Sequence, residues 1–170
     1  VTHSRDEVYR FCKNLVIIDR GKSILLGDTK EIFTHPEVLP AARLTGCKNI
    51  SRCRVLSSHS IYANDWGITF ETEKKVPEDT NYVGIRARMF RLADSEEEKD
   101  AVAFKINKVV EEIFEYTVIA EAETQNEQNN SESDKSEIWF KIKKEEWDNR
   151  NNKEKLYIKI PEDAILMLRG

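Results

Sequence analysis

Apolar positions near the start of the chain recur at helical spacing. Val8, Phe11, Cys12 and Leu15 fall three or four residues apart, the interval that gathers side chains on one helical face. Ser4 with Glu7 three residues later has the form of a capping box, so a helix is expected to begin there. Val1-Thr2-His3 just before it reads as the end of a buried strand. Leu15 to Ile18 and Ser23 to Leu26 flank Asp19-Arg20-Gly21-Lys22, which predicts a hairpin of two short strands. Asp28 followed by Glu31 predicts a second N-cap, with Ile32-Phe33 as the apolar face. Pro36 stops that helix near Thr34, because a residue before proline avoids the helical region. A further short helix is expected over Leu39 to Leu44, closed by Gly46.

After residues 46–51 the pattern changes, and a domain boundary is placed there. Residues 52–57, 61–63, 66–72 and 82–92 read as strands, the last (YVGIRARMFRL) being the longest. Residues 101–121 fit two patterns. Val102, Ile106, Val109 and Ile113 keep helical spacing, while the β-branched content suits two strands with a bend near Phe114. Residues 138–142 and 156–160 alternate apolar and polar, as half-buried strands do. Residues 145–147 suggest a helical turn, and residues 164–168 a last apolar strand. Short strands joined by polar loops suggest a small OB-like barrel, and the whole chain reads as α+β.

The stretch VTHSRDEVYRFCKNLVIIDRGKSILLG resembles the part of an ABC-transporter ATPase that follows its catalytic core. There a strand ends in Thr-His, a helix starts with a short acidic motif, and a hairpin closes on a Gly-Lys or Gly-Arg turn. Residues 45–54 (TGCKNISRCR) and the β-rich remainder resemble the molybdate-type importers of that family, with sulfate or sugar importers as the alternative. "VGIR" at residues 83–86 resembles a segment of their accessory β-domain. The resemblance favours a β-hairpin over residues 101–121. It implies an α/β tail fragment of an ABC ATPase domain over residues 1–46, then an all-β OB-like barrel of the TOBE/MOP type over residues 49–170. It also implies ATP and Mg²⁺ as cofactors of the complete protein, a transmembrane permease as partner, and a homodimer formed through the C-terminal domain. The place implied is the cytoplasm, at the inner face of the cell membrane. His3 takes the position of the family's switch histidine, whose ring contacts the γ-phosphate and orients the attacking water. The chain itself contains no G-x-x-x-x-G-K-S/T loop, no apolar run ending in Asp-Glu and no LSGG-type signature. By itself it is expected not to hydrolyse ATP.

Composition narrows the remaining classes. The formal net charge is −4, with +4 over residues 1–54 and −8 over the rest, which argues against a nucleic-acid partner. Acidic or polar tracts at residues 94–100 and 124–137 read as solvated surface. Cys12, Cys47 and Cys53 show no C-x-x-C spacing and suit a reducing compartment. No apolar run approaches the ~20 residues that cross a bilayer. His35 and His59 lack ligands at metal spacing. Trp66, Phe70 and Tyr82 are expected in the core rather than stacked on bases. Arg43, Lys48, Asn49, Ser51, Arg52 and Arg54 are packed into a short basic, hydroxyl-containing stretch. Charge-assisted hydrogen bonds from such groups can hold a tetrahedral oxyanion such as molybdate or tungstate. A solvated basic linker is the competing reading. A stand-alone oxyanion-binding protein is the alternative function.

Overall fold

In the computed structural model, residues 1–93, 98, 100–123, 136–150 and 153–170 are described. The expectations for the tracts at 94–100 and 124–137 fall largely outside them. Helix α1 (Arg5–Phe11) starts where expected, with Ser4 Oγ accepting the Glu7 N–H at 3.5 Å. The Ser4 N–H is taken by Thr2 Oγ1 at 3.0 Å, and that hydroxyl in turn donates to Glu7 at 3.4 Å. Val1 to His3 are exposed and form no strand, which corrects the sequence expectation. A strand needs a ladder partner, and no described segment pairs with these residues.

Strands β1 (Asn14–Asp19) and β2 (Lys22–Asp28) form the expected hairpin. Its turn residues Arg20 and Gly21 have φ of 48° and 76°, the paired positive angles of a type I′ turn. Asp28 Oδ1 caps α2 (Thr29–Thr34) by accepting the N–H groups of Lys30 and Glu31 at 2.9 and 3.2 Å. Helix α3 (Leu39–Leu44) ends at Gly46, whose φ of 93° suits glycine. The helical stripe of α1 does not become core. No residue of α1 is buried, and Phe11 is 80% exposed.

The remainder is mostly β. It comprises β3 (Asn49–Ser57), β4 (Ser60–Ala63), β5 (Ile68–Glu71), β6 (Tyr82–Ile85), β7 (Arg91–Leu92), β8 (Ala101–Glu111), β9 (Glu115–Ala122), β10 (Ile138–Lys143), α4 (Lys144–Asp148), β11 (Lys155–Lys159) and β12 (Ile165–Leu168). One antiparallel sheet has the order β10-β9-β8-β11-β7, and a second the order β12-β6-β3-β4-β5. The main core draws on both sheets, with Trp66, Ile61 and Ile85 from one side and Phe104, Phe140 and Ile158 from the other. Phe140 centres it, its ring 4.5 Å from Phe90 and 5.0 Å from Phe104. The outer strands β7 and β10 of the first sheet line one cavity, so that sheet curls toward a barrel without closing on itself.

Two details differ from the pattern. The single strand expected over residues 82–92 breaks after Ile85, because Arg86 turns in toward carbonyls of the N-terminal part and Met89 N–H bonds back to Arg86 at 2.9 Å. Residues 101–121 form the hairpin β8–β9 rather than a helix. The helical stripe fails there because Val109 and Ile113 are 37% and 79% exposed, whereas Phe104, with strands on both sides, is fully buried.

Packing is continuous across residues 46–51. Ala42 of α3 clusters with Cys47, Leu166 and Leu168. Leu39 N–H donates to the Arg169 carbonyl at 2.7 Å, and Arg169 N–H to Glu37 at 2.9 Å. The C-terminal strand is thereby fastened to the helices that precede β3.

Candidate functional site

His3 lies on the exposed segment before α1. It lines a cavity of about 410 Å³ with Arg5, Val8, Cys12, Leu15 to Ile18, Phe33, Leu44 and Thr45. The walls are mainly aliphatic. Val16, Ile18 and Leu44 are 47%, 58% and 48% exposed, so an apolar face of the β1–β2 hairpin and α3 lies open around the histidine. No described residue completes a phosphate-binding loop beside it. The residues present therefore do not fit ATP or Mg²⁺ on their own, and no hydrolytic step is assigned to them.

The six candidate oxyanion ligands are dispersed by strand alternation. Along β3 the residues at 49, 51 and 53 point inward and those at 52 and 54 outward. Asn49 is buried, and its amide clasps one residue of β10. Asn49 Oδ1 accepts the Trp139 N–H at 2.8 Å, and Asn49 Nδ2 donates to the Trp139 carbonyl at 2.8 Å. Ser51 is also buried. Its Oγ accepts the Asp65 N–H at 2.9 Å and donates to the Arg52 carbonyl at 2.7 Å. Arg52 grips Asp65 through Nε and Nη2 at 3.0 and 2.8 Å. Arg54 donates to Asn64 at 3.2 Å and sits over the Tyr62 ring. Lys48 rests 4.5 Å from the Trp139 ring centre, and Arg43 is exposed on α3. None of the six lines a cavity described here. The inward pair fastens β-structure, and the outward arginines have local partners.

A larger cavity, about 730 Å³, lies between β7 and β10. Phe90, Leu92, Phe140, Ile142 and Ile158 give it apolar walls, and Arg91, Lys141 and Arg150 stand among its lining. The outer edge of β10 is held partly by loops from the second sheet. Lys141 N–H donates to Ala87, and Ser136 N–H to Asp65, each at 2.8 Å. Together with the Asn49 clasp, these bonds cover an edge that would otherwise offer free ladder groups. Among the described residues, no three His, Cys, Asp or Glu side chains are grouped to hold a metal ion.

Two polar groupings were not legible beforehand. Arg86 donates Nη1 to the Thr45 carbonyl at 2.8 Å, and Nη2 to Thr45 Oγ1 at 3.1 Å and to the Phe33 carbonyl. It thus ties the ends of α2 and α3 to β6. Burial lowers its pKa, the nearby Cys47 acts the other way, and the like charge of Arg5 lowers it further. The Cys47 thiol is itself pushed up to about 11 by burial, with Arg86 opposing. The one hint in the sequence was an arginine directly after the apolar run of β6.

The second grouping is an ion cluster at the turn of the β8–β9 hairpin. Glu115 accepts from Arg88 at 2.6 Å and from Lys141 at 2.6 Å, and Lys141 also donates to Glu112 at 2.7 Å. Hydrogen bonds from Arg88, then Lys141, hold the Glu115 carboxyl at about 2. A depressed carboxylate pKa contributes stability above the unfolded value of 4.5, and that contribution fades as pH falls from there toward 2. Arg88 is largely exposed, so solvent screens part of this, leaving about 1–2 kcal/mol. Glu115→Gln is therefore expected to lose that amount at pH 7 and to show a flatter stability profile between pH 4.5 and 2, read by urea denaturation at stepped pH.

No protein-family profile matches the chain. Among curated proteins, the energy-coupling factor transporter ATP-binding protein EcfA2 of Lactiplantibacillus plantarum is 32% identical over 69 residues. The match takes in 41% of this chain and 23% of that relative's length. Over that stretch the chain is similar to a transporter ATP-binding subunit. No described helix is long and apolar enough to cross a membrane.

Proposed function

We propose that this chain serves as the C-terminal part of the ATP-binding subunit of an ABC importer. Residues 1–46 belong to the nucleotide-binding unit in this reading, and residues 49–170 form an accessory regulatory domain of the OB-like TOBE/MOP kind. The observation that carries it is the similarity to EcfA2, joined to the open apolar face around His3. That face has the character of an interior surface, and the body of an ATP-binding domain is the occupant its chemistry suits. ATP and Mg²⁺ are then held by residues outside this chain, and His3 is the residue the chain presents toward them. The transported substrate is proposed to be an oxyanion of the molybdate type. The partners are a transmembrane permease and a second copy, and the working place is the inner face of the cell membrane.

A stand-alone oxyanion binder is the second reading, favoured only by the basic stretch at residues 43–54. Calorimetry with molybdate, tungstate and sulfate separates the two. The dispersal of the six ligands leads to an expectation of no tight binding by the isolated chain. Micromolar binding abolished by Arg54→Ala would favour the second reading.

The main test joins the chain to an ATP-binding core. The isolated chain is expected to show no ATP turnover, whereas the joined protein hydrolyses ATP. His3→Ala in the joined protein should then lower kcat on the order of a hundredfold with little change in KM. Turnover by the isolated chain, or an unaffected His3→Ala enzyme, overturns the reading.

A further inference from the structure

Two arginines meet where α3 leads into β3, and neither is paired with an acid. Arg86 donates to Thr45 and to the Phe33 carbonyl. Arg5, the first residue of α1, lies against the residue that follows Thr45. A Cβ on Gly46 would collide with Arg5 Nη1, and the guanidinium carbon would stand 3.4 Å from it. The Thr45–Gly46 peptide is therefore flanked by both guanidiniums. Burial lowers the Arg86 pKa first, Cys47 opposes, and the charge of Arg5 lowers it further. Among the described residues neither arginine forms an ion pair.

We propose that this pair of arginines binds one tetrahedral oxyanion, seated at the Thr45 end of the cavity around His3. Arg5, Phe33 and Thr45 line that cavity, and no described Asp or Glu does. Arg86 donates to Thr45 and Phe33 from the β6 side, so its charge stands just beyond the wall. Glu7, two residues from Arg5, is turned to the Thr2 hydroxyl instead. The Arg5 side chain makes no hydrogen bond among the described residues, which leaves its planar fork of donors for a ligand. That fork matches two oxygens of a phosphate-like anion. Arg5 is the contacting residue, and Arg86 adds attraction through the intervening Thr45 without giving up its own bonds.

Charge selects the class of ligand. The carbonyls that Arg86 holds carry only partial charges, so both guanidinium charges remain to be balanced. A doubly charged oxyanion balances them, a chloride balances one, and a cation is repelled. Arg5 is exposed, so solvent screens the attraction and the affinity is modest. None of the six basic or polar residues at 43–54 takes part, which separates this site from the stand-alone binder considered above. The charge argument does not depend on the transporter reading either.

The test is an NMR titration of the full chain with inorganic phosphate at constant ionic strength. The Thr45 and Gly46 amides and the Arg5 Nε–H should shift and saturate, with a Kd on the order of 1 mM. Arg5→Met removes no internal side-chain bond and should raise Kd about tenfold or more. Arg5→Lys keeps the charge without the fork and should fall between the two. Arg54→Met, in the basic stretch, should leave Kd within about twofold. Phenyl phosphate, titrated in parallel, separates two sources of the same headgroup. An equal Kd assigns the site to a free ion, and a Kd lowered about tenfold by the aliphatic walls assigns it to a phosphate on an apolar body. Circular dichroism checks that each variant is folded. No saturation up to about 20 mM phosphate, an unaffected Arg5→Met chain, or Arg54→Met weakening binding as much as Arg5→Met each overturns the proposal. Because no ATP-binding core enters the assay, failure here and failure of the transporter reading are separately visible.

Discussion

Asn49→Leu is expected to lower the unfolding free energy by about 3 kcal/mol, among the largest effects of any single polar substitution in the chain. Asn49 is 3% exposed, and its amide satisfies both backbone groups of Trp139 on the outer edge of β10. Leucine fills a similar volume but leaves that N–H and that carbonyl unpaired in a buried place. Each orphaned group costs about 1–3 kcal/mol, and the added apolar burial offsets only part of this. Asn49→Asp is a sharper probe. It keeps an acceptor for the N–H and sets a carboxylate against the carbonyl, so it should be no better tolerated than leucine. Urea unfolding checks both. If Asn49 instead served chiefly as an anion ligand, the variants would lose oxyanion affinity and keep their midpoints.

Arg86→Met is expected to cost about 2–4 kcal/mol and to loosen residues 1–45 before the β-sheets. The substitution removes three donors and strands the carbonyls of Thr45 and Phe33. Arg86→Lys should recover little, because one ammonium cannot reproduce a fork that serves two helix ends. Hydrogen exchange gives the discriminating measurement. Faster exchange is expected at the Thr45 and Cys47 amides, which bond back to Ala41 and Ala42. The amides of β8, in the sheet that does not contain β6, should be unchanged. Equal acceleration everywhere would mean that Arg86 acts through global stability alone.

The two residues were legible to different degrees. Asn49 stood out in the sequence, but as part of a basic cluster with Arg43, Lys48, Ser51, Arg52 and Arg54. Proximity along the chain suggested convergence on one ligand. In a strand, neighbours point to opposite faces, so nearness in sequence separated those side chains. Arg86 drew no chemical expectation, because its acceptors lie 41 and 53 residues away. The partners of Glu115 were hidden for the same reason, since Arg88 and Lys141 come from separate segments.

The sequence alone determined the local elements wherever a short-range physical rule governs them. Ser4 and Asp28 cap the helices they precede, Arg20-Gly21 turns the first hairpin, Pro36 and Gly46 end helices, and alternation marks β10 and β11. Each of these depends on backbone geometry within a few residues. Tertiary structure alone decided which apolar stripes became core. The stripe of α1 stays exposed because no described segment covers it, and the spacing at residues 102–113 gave way to a ladder between β9 and β11. It also decided the break after Ile85 and the clasp of Asn49 on Trp139. These depend on which distant strands meet, and a pattern read along one strand contains no information about its neighbour.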